Sequence, residues 1–312
     1  MTTASAPGKI ILFGEHAVVY GRPAIAVPIR QVQARAEVED LPGERSGRIR
    51  LDAPDIGRSL WLHEAGEDDP LARGVRLALD ELAIDPPPPT LIRIDSTIPV
   101  ASGLGSGAAV TIALLRALSA HWGRPLSDVR LSALAFEVER LHHGTPSGID
   151  NTVIVYERPV YFRRGQPIEY ITVAEPLHLV IAVSGQPSPT AVAVAKVRER
   201  WQADPGAVEA LFDAIARLVE EARRALEGNP TASLGSLMDE NHALLSRLGV
   251  STPALDRLVG AARQAGAAGA KLSGGGLGGN IIAAADPGRA AAIERSLRLA
   301  GAVQTISTQV RP

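Results

Sequence analysis

The distribution of apolar residues along the first half of the chain predicts strands first and helices afterwards. Residues 10–13 and 24–27 are short apolar runs bounded by glycine or proline, which is typical of buried strands. From Gln31 to Glu39 apolar and polar residues alternate, so we expect a strand with one buried face. The other elements predicted in this half are hairpin strands at 49–51 and 60–62, helices at 71–82, 105–121 and 127–142, a strand at 90–96, and a closing hairpin over 153–162 and 168–173.

The pattern restarts after Pro176, and a domain boundary is therefore predicted near residue 175. A chain of 312 residues exceeds the usual size of a single hydrophobic core, so two domains are expected, spanning residues 1–175 and 176–312. The elements predicted in the second half are strands at 177–183, 271–272, 280–284 and 303–310, and helices at 190–200, 208–227, 232–248, 253–265 and 287–300.

Composition excludes several classes of protein. The net charge is -2 and the charges are interspersed, which argues against a nucleic-acid partner. There is no cysteine, so disulfides, thiolate zinc sites and a cysteine nucleophile are excluded. The first seven residues lack the features of a signal peptide, and the apolar stretch 108–120 is too short to span a bilayer. We therefore expect a cytoplasmic protein with no membrane or nucleic-acid partner.

The segment 99–109, PVASGLGSGAA, leads directly into an apolar helix. Its glycines at 103, 105 and 107 allow successive backbone N–H groups to point inward, and the helix N-terminus adds unpaired N–H donors. Together they predict an anion site suited to a polyphosphate, the alternative being a plain strand-to-helix turn. The segment is not a Walker A loop, because the sole Gly-Lys pair, Gly8-Lys9, is followed by isoleucine.

A second glycine-rich segment, KLSGGGLGGN, occupies residues 271–280. It satisfies G-x-G-x-x-G, but a dinucleotide site would need a following helix and an acidic residue about twenty positions on. Here residues 280–285 predict a strand, and Leu299 stands where the acid should be. The segment fits better as a flexible loop that approaches a ligand closely or packs against the first glycine turn, and a plain turn stays open.

Several charged residues are candidates for chemistry. Glu139, near the end of a predicted helix, can bind Mg²⁺ beside a phosphate site, or can simply belong to a solvated helix face. Asp150 follows a Pro-Ser-Gly turn that can direct it into a cleft, where it could accept a hydroxyl proton. Lys9 begins a buried strand, and the pair Glu15-His16 follows on the next loop.

Four motifs, in this order, carry a resemblance to a known family. They are PGKIILFGEHAVVYG at 7–21, PVASGLGSGAA at 99–109, HGTPSGIDN at 143–151 and KLSGGGLGG at 271–279. Over essentially its whole length the chain resembles the GHMP kinases, and among them most closely the mevalonate kinases. The resemblance implies an α+β fold, with an N-terminal nucleotide-binding domain like ribosomal protein S5, a ferredoxin-like C-terminal domain, and an active site between them.

The resemblance also implies ATP and Mg²⁺ as cofactors and a role for each matching residue. Asp150 is implied as the base or orienting group for the substrate hydroxyl, and Lys9 as the cation beside it. Glu139 and Ser106 are the implied metal ligands. The residues implied at the substrate are Glu15, His16 and Thr190. The residues implied at ATP are Pro99, Ser102, Gly103, Leu104, Gly105, Ser106, Gly107, Ala108, Gly275 and Gly276.

The sequence departs from the family pattern at three positions. Gly107 stands where many relatives carry a serine that ligates Mg²⁺, so Ser106, Ser102 or water is left as the substitute. Ala191 replaces a lysine that in relatives often follows the threonine equivalent to Thr190. Asn280 stands at the end of the last glycine motif, where relatives often have a small residue or cysteine.

The expected activity is ATP-dependent phosphorylation of the primary hydroxyl of mevalonate, with a homodimer left open. The alternatives are a kinase of phosphomevalonate, homoserine or the 3-hydroxyl of mevalonate, a nucleotide-binding protein without turnover, and a dehydrogenase using the loop 274–279.

Overall fold

The structure is a computed structural model that describes residues 1–143, 146–228 and 233–311, with the backbone alone for residues 142 and 143. The strands are β1 (Thr2–Phe13), β2 (Ala24–Asp40), β3 (Ile49–Ala53), β4 (Arg58–Trp61), β5 (Thr90–Ser96), β6 (Val160–Phe162), β7 (Glu169–Tyr170), β8 (Leu177–Val183), β9 (Gly269–Ser273), β10 (Asn280–Ala284) and β11 (Gln304–Val310). The helices are α1 (Pro70–Leu82), α2 (Ser106–His121), α3 (Asp128–His143), α4 (Ile149–Tyr156), α5 (Thr190–Ala203), α6 (Pro205–Leu226), α7 (Leu234–Leu248), α8 (Pro253–Gln264) and α9 (Ala290–Leu299). Within these ranges, no helix is long and apolar enough to cross a membrane.

The chain forms two compact units, and each is assembled from separated segments. Unit 1 contains Met1–Gly8, Val32–Pro99 and Gly105–Tyr156. Unit 2 contains Lys9–Gln31, Val100–Leu104 and Glu157–Pro312. The strands β1 and β2 therefore contribute residues to both units. The predicted division at residue 175 stays a prediction.

Unit 1 is built on a sheet with the strand order β4-β3-β5-β2, in which β3 and β5 are parallel and the other pairs are antiparallel. The alternation from Gln31 to Glu39 is confirmed, because the side chains of Val32, Ala34, Ala36 and Val38 are buried. The hairpin predicted around 49–62 is confirmed as β3 and β4.

Helix α2 forms the centre of unit 1 and packs against α1, α3 and α4. It is buried on almost every side, as its run of alanine, leucine and isoleucine predicts. The one cation within the run, Arg116, donates to the carbonyl oxygens of Ser5 at 2.9 Å and Val155 at 2.8 Å. Its guanidinium therefore links the beginning of β1 and the end of α4 to this helix.

The prediction of a strand over 153–162 is wrong in its first part. Residues Ile149–Tyr156 form helix α4, and within the predicted range only Val160–Phe162 is a strand. A short run of apolar, β-branched residues suits either element, and periodicity alone does not separate them. The run is buried on all sides against α2 and α3. Packing on two helices therefore overrides the strand preference of Val153, Ile154 and Val155.

Unit 2 contains an antiparallel sheet with the order β11-β8-β10-β9. Helices α5 to α8 lie between β8 and β9 along the chain, and α9 lies between β10 and β11. This succession of strands and helices is the ferredoxin-like arrangement, so the predicted class of the second half is confirmed. In the same unit the first part of β2 pairs with β6, and β6 pairs with β7.

Three helices of unit 2, α6, α7 and α8, begin where the sequence supplies a capping side chain. Asp204 accepts a hydrogen bond from the Ala207 N–H at 3.0 Å and is followed by proline at the first position of α6. Thr252 caps α8 in the same way, again before a proline. Helix α7 begins after Ser233 and ends at Gly249, which has a φ of 84°.

Helix α7 lies directly on β9 because two glycines bring the backbones together. A Cβ on Gly235 would lie 2.2 Å from the carbonyl oxygen of Ala268, and one on Gly269 would lie 1.9 Å from that of Gly235. At this point, no side chain fits between the two backbones. The close approach brings Asn241 of α7 within hydrogen-bonding distance of the residues beside β9, as described below.

Candidate active site

The first glycine turn has the geometry that an anion site needs. Gly103 and Gly105 have φ angles of 81° and 78°, which favour glycine. Helix α2 begins at Ser106, and no side chain of the described residues caps its N-terminus. Its first N–H groups are therefore left for a ligand or water, and the helix dipole favours a negative charge there. In this turn Ser106 is half-buried and Gly107 is exposed, while Ala108 is buried.

A carboxylate faces this helix start within unit 1. Glu139 of α3 is 8% exposed, and its Oε1 lies 3.6 Å from the position that a Cβ on Gly107 would occupy. Glu139 therefore does not lie on the solvated helix face that was the alternative. A carboxylate next to a site for phosphate is a suitable ligand for Mg²⁺, which prefers oxygen donors and usually takes one or two carboxylates together with phosphates.

Asp150 lies in the first turn of α4 and is half-buried. Helix α4 follows Gly148, which has a φ of 89°, and the Ile149 N–H donates to the Ser147 hydroxyl at 3.3 Å. A negative charge in the first turn of a helix is stabilised by the helix dipole. Residues 144–145 of the motif that precedes Asp150 lie outside the described residues, as do the side chains of the adjacent histidines.

Lys9 is buried in β1, where it is 4% exposed. Its backbone N–H donates to the carbonyl oxygen of Leu104 at 2.9 Å, so the strand that carries Lys9 is joined to the first glycine turn. Leu104 is fully buried and Ser102 is 3% exposed, while Pro99 is half-buried. The predicted pairing of Lys9 with Asp150 stays a prediction.

The second glycine segment is closely packed, and this packing explains its glycines. A Cβ on Gly276 would lie 2.3 Å from the Val250 carbonyl oxygen, and one on Gly278 would lie 2.3 Å from that of Pro187. Gly275 is next to the start of α5, since its Cβ position lies 3.4 Å from the Thr190 Oγ1. The expectation that the segment packs against the first glycine turn is therefore confirmed, since a Cβ on Gly279 would lie 3.0 Å from the Ser102 carbonyl oxygen. Its flexibility stays a prediction.

The contact between the two glycine segments is made by Asn280. Its Nδ2 donates to the carbonyl oxygen of Ser102 at 2.7 Å and lies 3.5 Å from that of Ser273. A Cβ on Gly103 would lie 3.2 Å from the same nitrogen. Because two carbonyl oxygens face this atom, it must be the amide nitrogen rather than the oxygen. The family position that usually holds a small residue or cysteine thus carries a side chain that joins the two segments.

Glu15 and His16 are both buried on the turn after β1. The Glu15 carboxylate forms an ion pair with Lys271 and accepts a hydrogen bond from Asn241 Nδ2 at 3.2 Å. The His16 Nε2 lies 2.9 Å from the Gly275 carbonyl oxygen, which can only accept, so Nε2 carries the proton. Burial lowers the pKa of His16 to about 4, although the bond to Gly275 opposes the shift. His16 is therefore neutral at pH 7.

Sequence reasoning did not select Lys271, Asn241 or Asn280 as site residues. Lys271 stands alone between Ala270 and Leu272 in an apolar strand, and a lysine in such a position is a signal that it has a buried partner. Asn241 gives no comparable signal, because it lies on a different element from the residues that it contacts.

The strand β10 begins at Asn280, so the glycine segment lacks the following helix of a dinucleotide site.

Comparison with known families agrees with this fold and site. A family model described as the GHMP kinases N terminal domain matches residues 71–158, and a second, described as GHMP kinases C terminal, matches residues 218–303. The first match contains the uncapped start of α2, Glu139 and Asp150, and the second contains the glycine segment after β9. The chain is a GHMP kinase, as its α+β fold and two glycine segments indicate.

Individual relatives define the family more narrowly. A mevalonate kinase of Pyrococcus horikoshii is 38% identical to this chain, over 97% of the chain and 94% of that protein. The structure of L. major mevalonate kinase in complex with R-mevalonate is 32% identical with a TM-score of 0.84, covering 100% of this chain and 96% of that one. The mevalonate kinase of Methanococcus jannaschii has a TM-score of 0.82 at 27% identity, with 99% and 97% coverage. Within the GHMP kinases, the chain belongs to the mevalonate kinase family.

Proposed function

We propose that the protein transfers the γ-phosphoryl group of ATP to the primary hydroxyl of mevalonate, giving 5-phosphomevalonate and ADP. The observation that carries this proposal is the uncapped N-terminus of α2 after a glycine turn, with the carboxylate of Glu139 facing it. This arrangement suits a polyphosphate with a divalent cation. Mevalonate is the proposed substrate because the nearly full-length relatives are mevalonate kinases and one of them was crystallised with R-mevalonate.

The residues of unit 1 would hold the phosphates and the metal. Backbone N–H groups of residues 105–108 would bind phosphate oxygens, and Glu139 would be the protein ligand of Mg²⁺. When bound, the cation neutralises charge on the transferred phosphoryl group. Among the described residues, no three His, Asp or Glu side chains form a metal site of their own. This fits a cation that shares its ligands with ATP, as Mg²⁺ in kinases usually does.

The hydroxyl of mevalonate is the nucleophile in the proposed reaction. Its oxygen forms a bond to the γ-phosphorus while the bond to the bridging oxygen of ADP breaks, and its proton passes to Asp150. Lys9 would lower the pKa of the hydroxyl through its positive charge. Transfer of this kind depends mainly on positioning and on neutralisation of charge, so the buried position of Lys9 in β1 supports the assignment.

A coupled assay of ADP release with MgATP and R-mevalonate tests the proposal. Phosphomevalonate and homoserine serve as competing substrates, and ³¹P NMR of the product distinguishes phosphorylation of the primary hydroxyl from that of the 3-hydroxyl. We expect the highest kcat/KM with mevalonate and a phosphate monoester on the primary carbon. A higher kcat/KM with another alcohol, or ATP binding without ADP release from any of them, would contradict the proposal.

We also propose that the protein acts in the cytoplasm, where ATP is abundant and where a chain without cysteine needs no oxidising compartment. Fractionation of cells that express it would test this location.

The homodimer stays a prediction, and analytical ultracentrifugation at micromolar concentration would test it.

A further inference from the structure

Lys271 is a fully buried lysine in a chain that uses few lysines. Only three of the 32 basic residues are lysine, namely Lys9, Lys196 and Lys271, and the rest are arginine. The Lys271 side chain has 0% exposure and is surrounded by the strands and helices of unit 2. An ammonium group is costly to bury unless it is paired, because it loses its hydration. Its position therefore depends on the group with which it pairs.

That group is Glu15, and the two carboxylate oxygens have separate partners. Lys271 Nζ pairs with Oε1, and Asn241 Nδ2 donates to Oε2 at 3.2 Å. The ring of Phe13 lies 5.9 Å from the ammonium and adds a cation–π contact. Glu15 is 1% exposed and directs its charge into the protein. Its carboxylate is thus engaged by protein groups, although sequence reasoning assigned it to the substrate.

The turn that carries Glu15 is strained and depends on such contacts. Gly14 has a φ of 100°, and His16, which is not a glycine, has a φ of 61°. A non-glycine residue in this region is strained, and it persists only where the surroundings hold it. His16 is held by the Gly275 carbonyl oxygen, and Glu15 by Lys271. Two consecutive residues are therefore tied to β9 and to the glycine segment after it.

Resting on the proposed function, we infer that Lys271 is a positioning residue, which fixes the turn Gly14–His16 for the binding of mevalonate through its ion pair with Glu15. The backbone of β9 is held by its pairing with β10, in which Lys271 is opposite Ile282, so it does not need the lysine side chain. The turn Gly14–His16 lies outside every strand, so no strand pairing holds it and it does need the Lys271 side chain. Loss of the ammonium should disturb the turn more than the glycine segment, and mevalonate binding more than ATP binding.

Kinetics of three variants test this role. Lys271→Met, Glu15→Gln and the double variant are compared with Lys196→Met, a control that removes a lysine whose Nζ donates to the Gly249 carbonyl oxygen elsewhere in unit 2. We expect Lys271→Met to raise the KM for mevalonate at least about tenfold, the size of a lost charged hydrogen bond, with the KM for ATP nearly unchanged. The double variant should be no worse than Lys271→Met, because both changes remove the same pair. The control should resemble the wild type.

Hydrogen exchange gives a readout that is independent of the substrate. The N–H groups of Ala17, Val18 and Val19 donate to carbonyl oxygens of residues 14–16, so their exchange reports on the turn. We expect faster exchange in Lys271→Met and no change in Lys196→Met. A wild-type protein that does not phosphorylate mevalonate would overturn the proposed function and still leave this measurement to decide on Lys271.

Several outcomes would overturn the inference. They are an unchanged KM for mevalonate in a folded Lys271→Met protein, equal increases in the KM of both substrates, and single effects that multiply in the double variant. If Lys271→Met does not fold, the double variant decides, because a neutral pair is tolerated better than one unpaired buried charge. A double variant that also fails to fold would point to a structural role alone and would overturn the positioning role.

Discussion

The ring of His16 connects the turn after β1 to the glycine segment, and it does so as a neutral group. Burial lowers its pKa to about 4 from the ordinary 6.5, so the folded protein resists protonation that the unfolded chain accepts. A group with a lowered pKa in the folded state contributes stability above its unfolded pKa, and this stability is lost as the pH falls. The stability that neutral His16 contributes is therefore lost as the pH falls from 6.5 to about 4.

We expect His16 to make the protein less stable in acid. Between pH 7 and pH 4, the free energy of unfolding of the wild type should decrease relative to that of His16→Gln by up to about 3 kcal/mol, an order-of-magnitude value. Glutamine can still donate to the Gly275 carbonyl oxygen but does not titrate. Urea unfolding at several pH values measures this difference. Equal pH dependence in the two proteins would rule out His16 as the cause.

Asp150 and Lys9 are the residues on which the proposed chemistry depends most. We expect Asp150→Asn and Lys9→Ala each to reduce kcat by about a hundredfold or more, which is the range for loss of a general base. Circular dichroism and thermal unfolding should show that both variants fold. A kcat near that of the wild type in Asp150→Asn would refute the assignment of Asp150 as the base.

At the scale of elements, the backbone contact between α7 and β9 tolerates no added atom. Gly235→Ala would place a Cβ 2.2 Å from the Ala268 carbonyl oxygen, so the helix must move. We expect a loss of about 3 kcal/mol or more, since overpacking of backbone cannot be relieved by a rotamer change. Gly260→Ala on α8 is the matched control, because its Cβ meets nothing within 4 Å. It should stabilise the helix by up to about 1 kcal/mol, and thermal unfolding compares the two.

The start of α2 offers a test of the metal site. A Cβ on Gly107 would make an ordinary contact of 3.6 Å with Glu139 Oε1, so Gly107→Ser should fold. Its hydroxyl would supply a second oxygen ligand beside the carboxylate. We expect half-maximal activity at a lower Mg²⁺ concentration than in the wild type. Gly107→Ala adds the Cβ without the hydroxyl, and an equal effect in that control would exclude ligation by the serine.

The elements with clear periodicity could be predicted from the sequence, and those set by packing could not. The alternation in β2 and the apolar run of α2 each indicated one element. The run Val153–Val155 did not, because its helical form depends on α2 and α3, which lie elsewhere in the chain. For the site, the glycine segments marked their own positions. Asn241 lies 226 positions from Glu15, and no local pattern predicts such a contact.

At the scale of the whole molecule, the three lysines differ sharply in exposure. Lys196 is exposed, Lys9 is 4% exposed and Lys271 is fully buried. We expect an amine-acylating reagent to modify the N-terminal amine and Lys196 first. Lys271 should react only through unfolding or local opening of the native state. Peptide mass spectrometry over a time course measures the three rates. Rapid acylation of Lys271 in the folded protein would contradict its burial.

This uneven exposure has a practical consequence for attaching the protein to a solid support. A resin that couples to amines would hold it through Lys196 or the amino terminus, and the buried lysines would stay unmodified. The chain also has no cysteine, so a single cysteine introduced at the 84% exposed Leu299 would be a unique handle for thiol coupling. Immobilised catalyst of defined orientation can therefore be prepared without removing any native reactive residue.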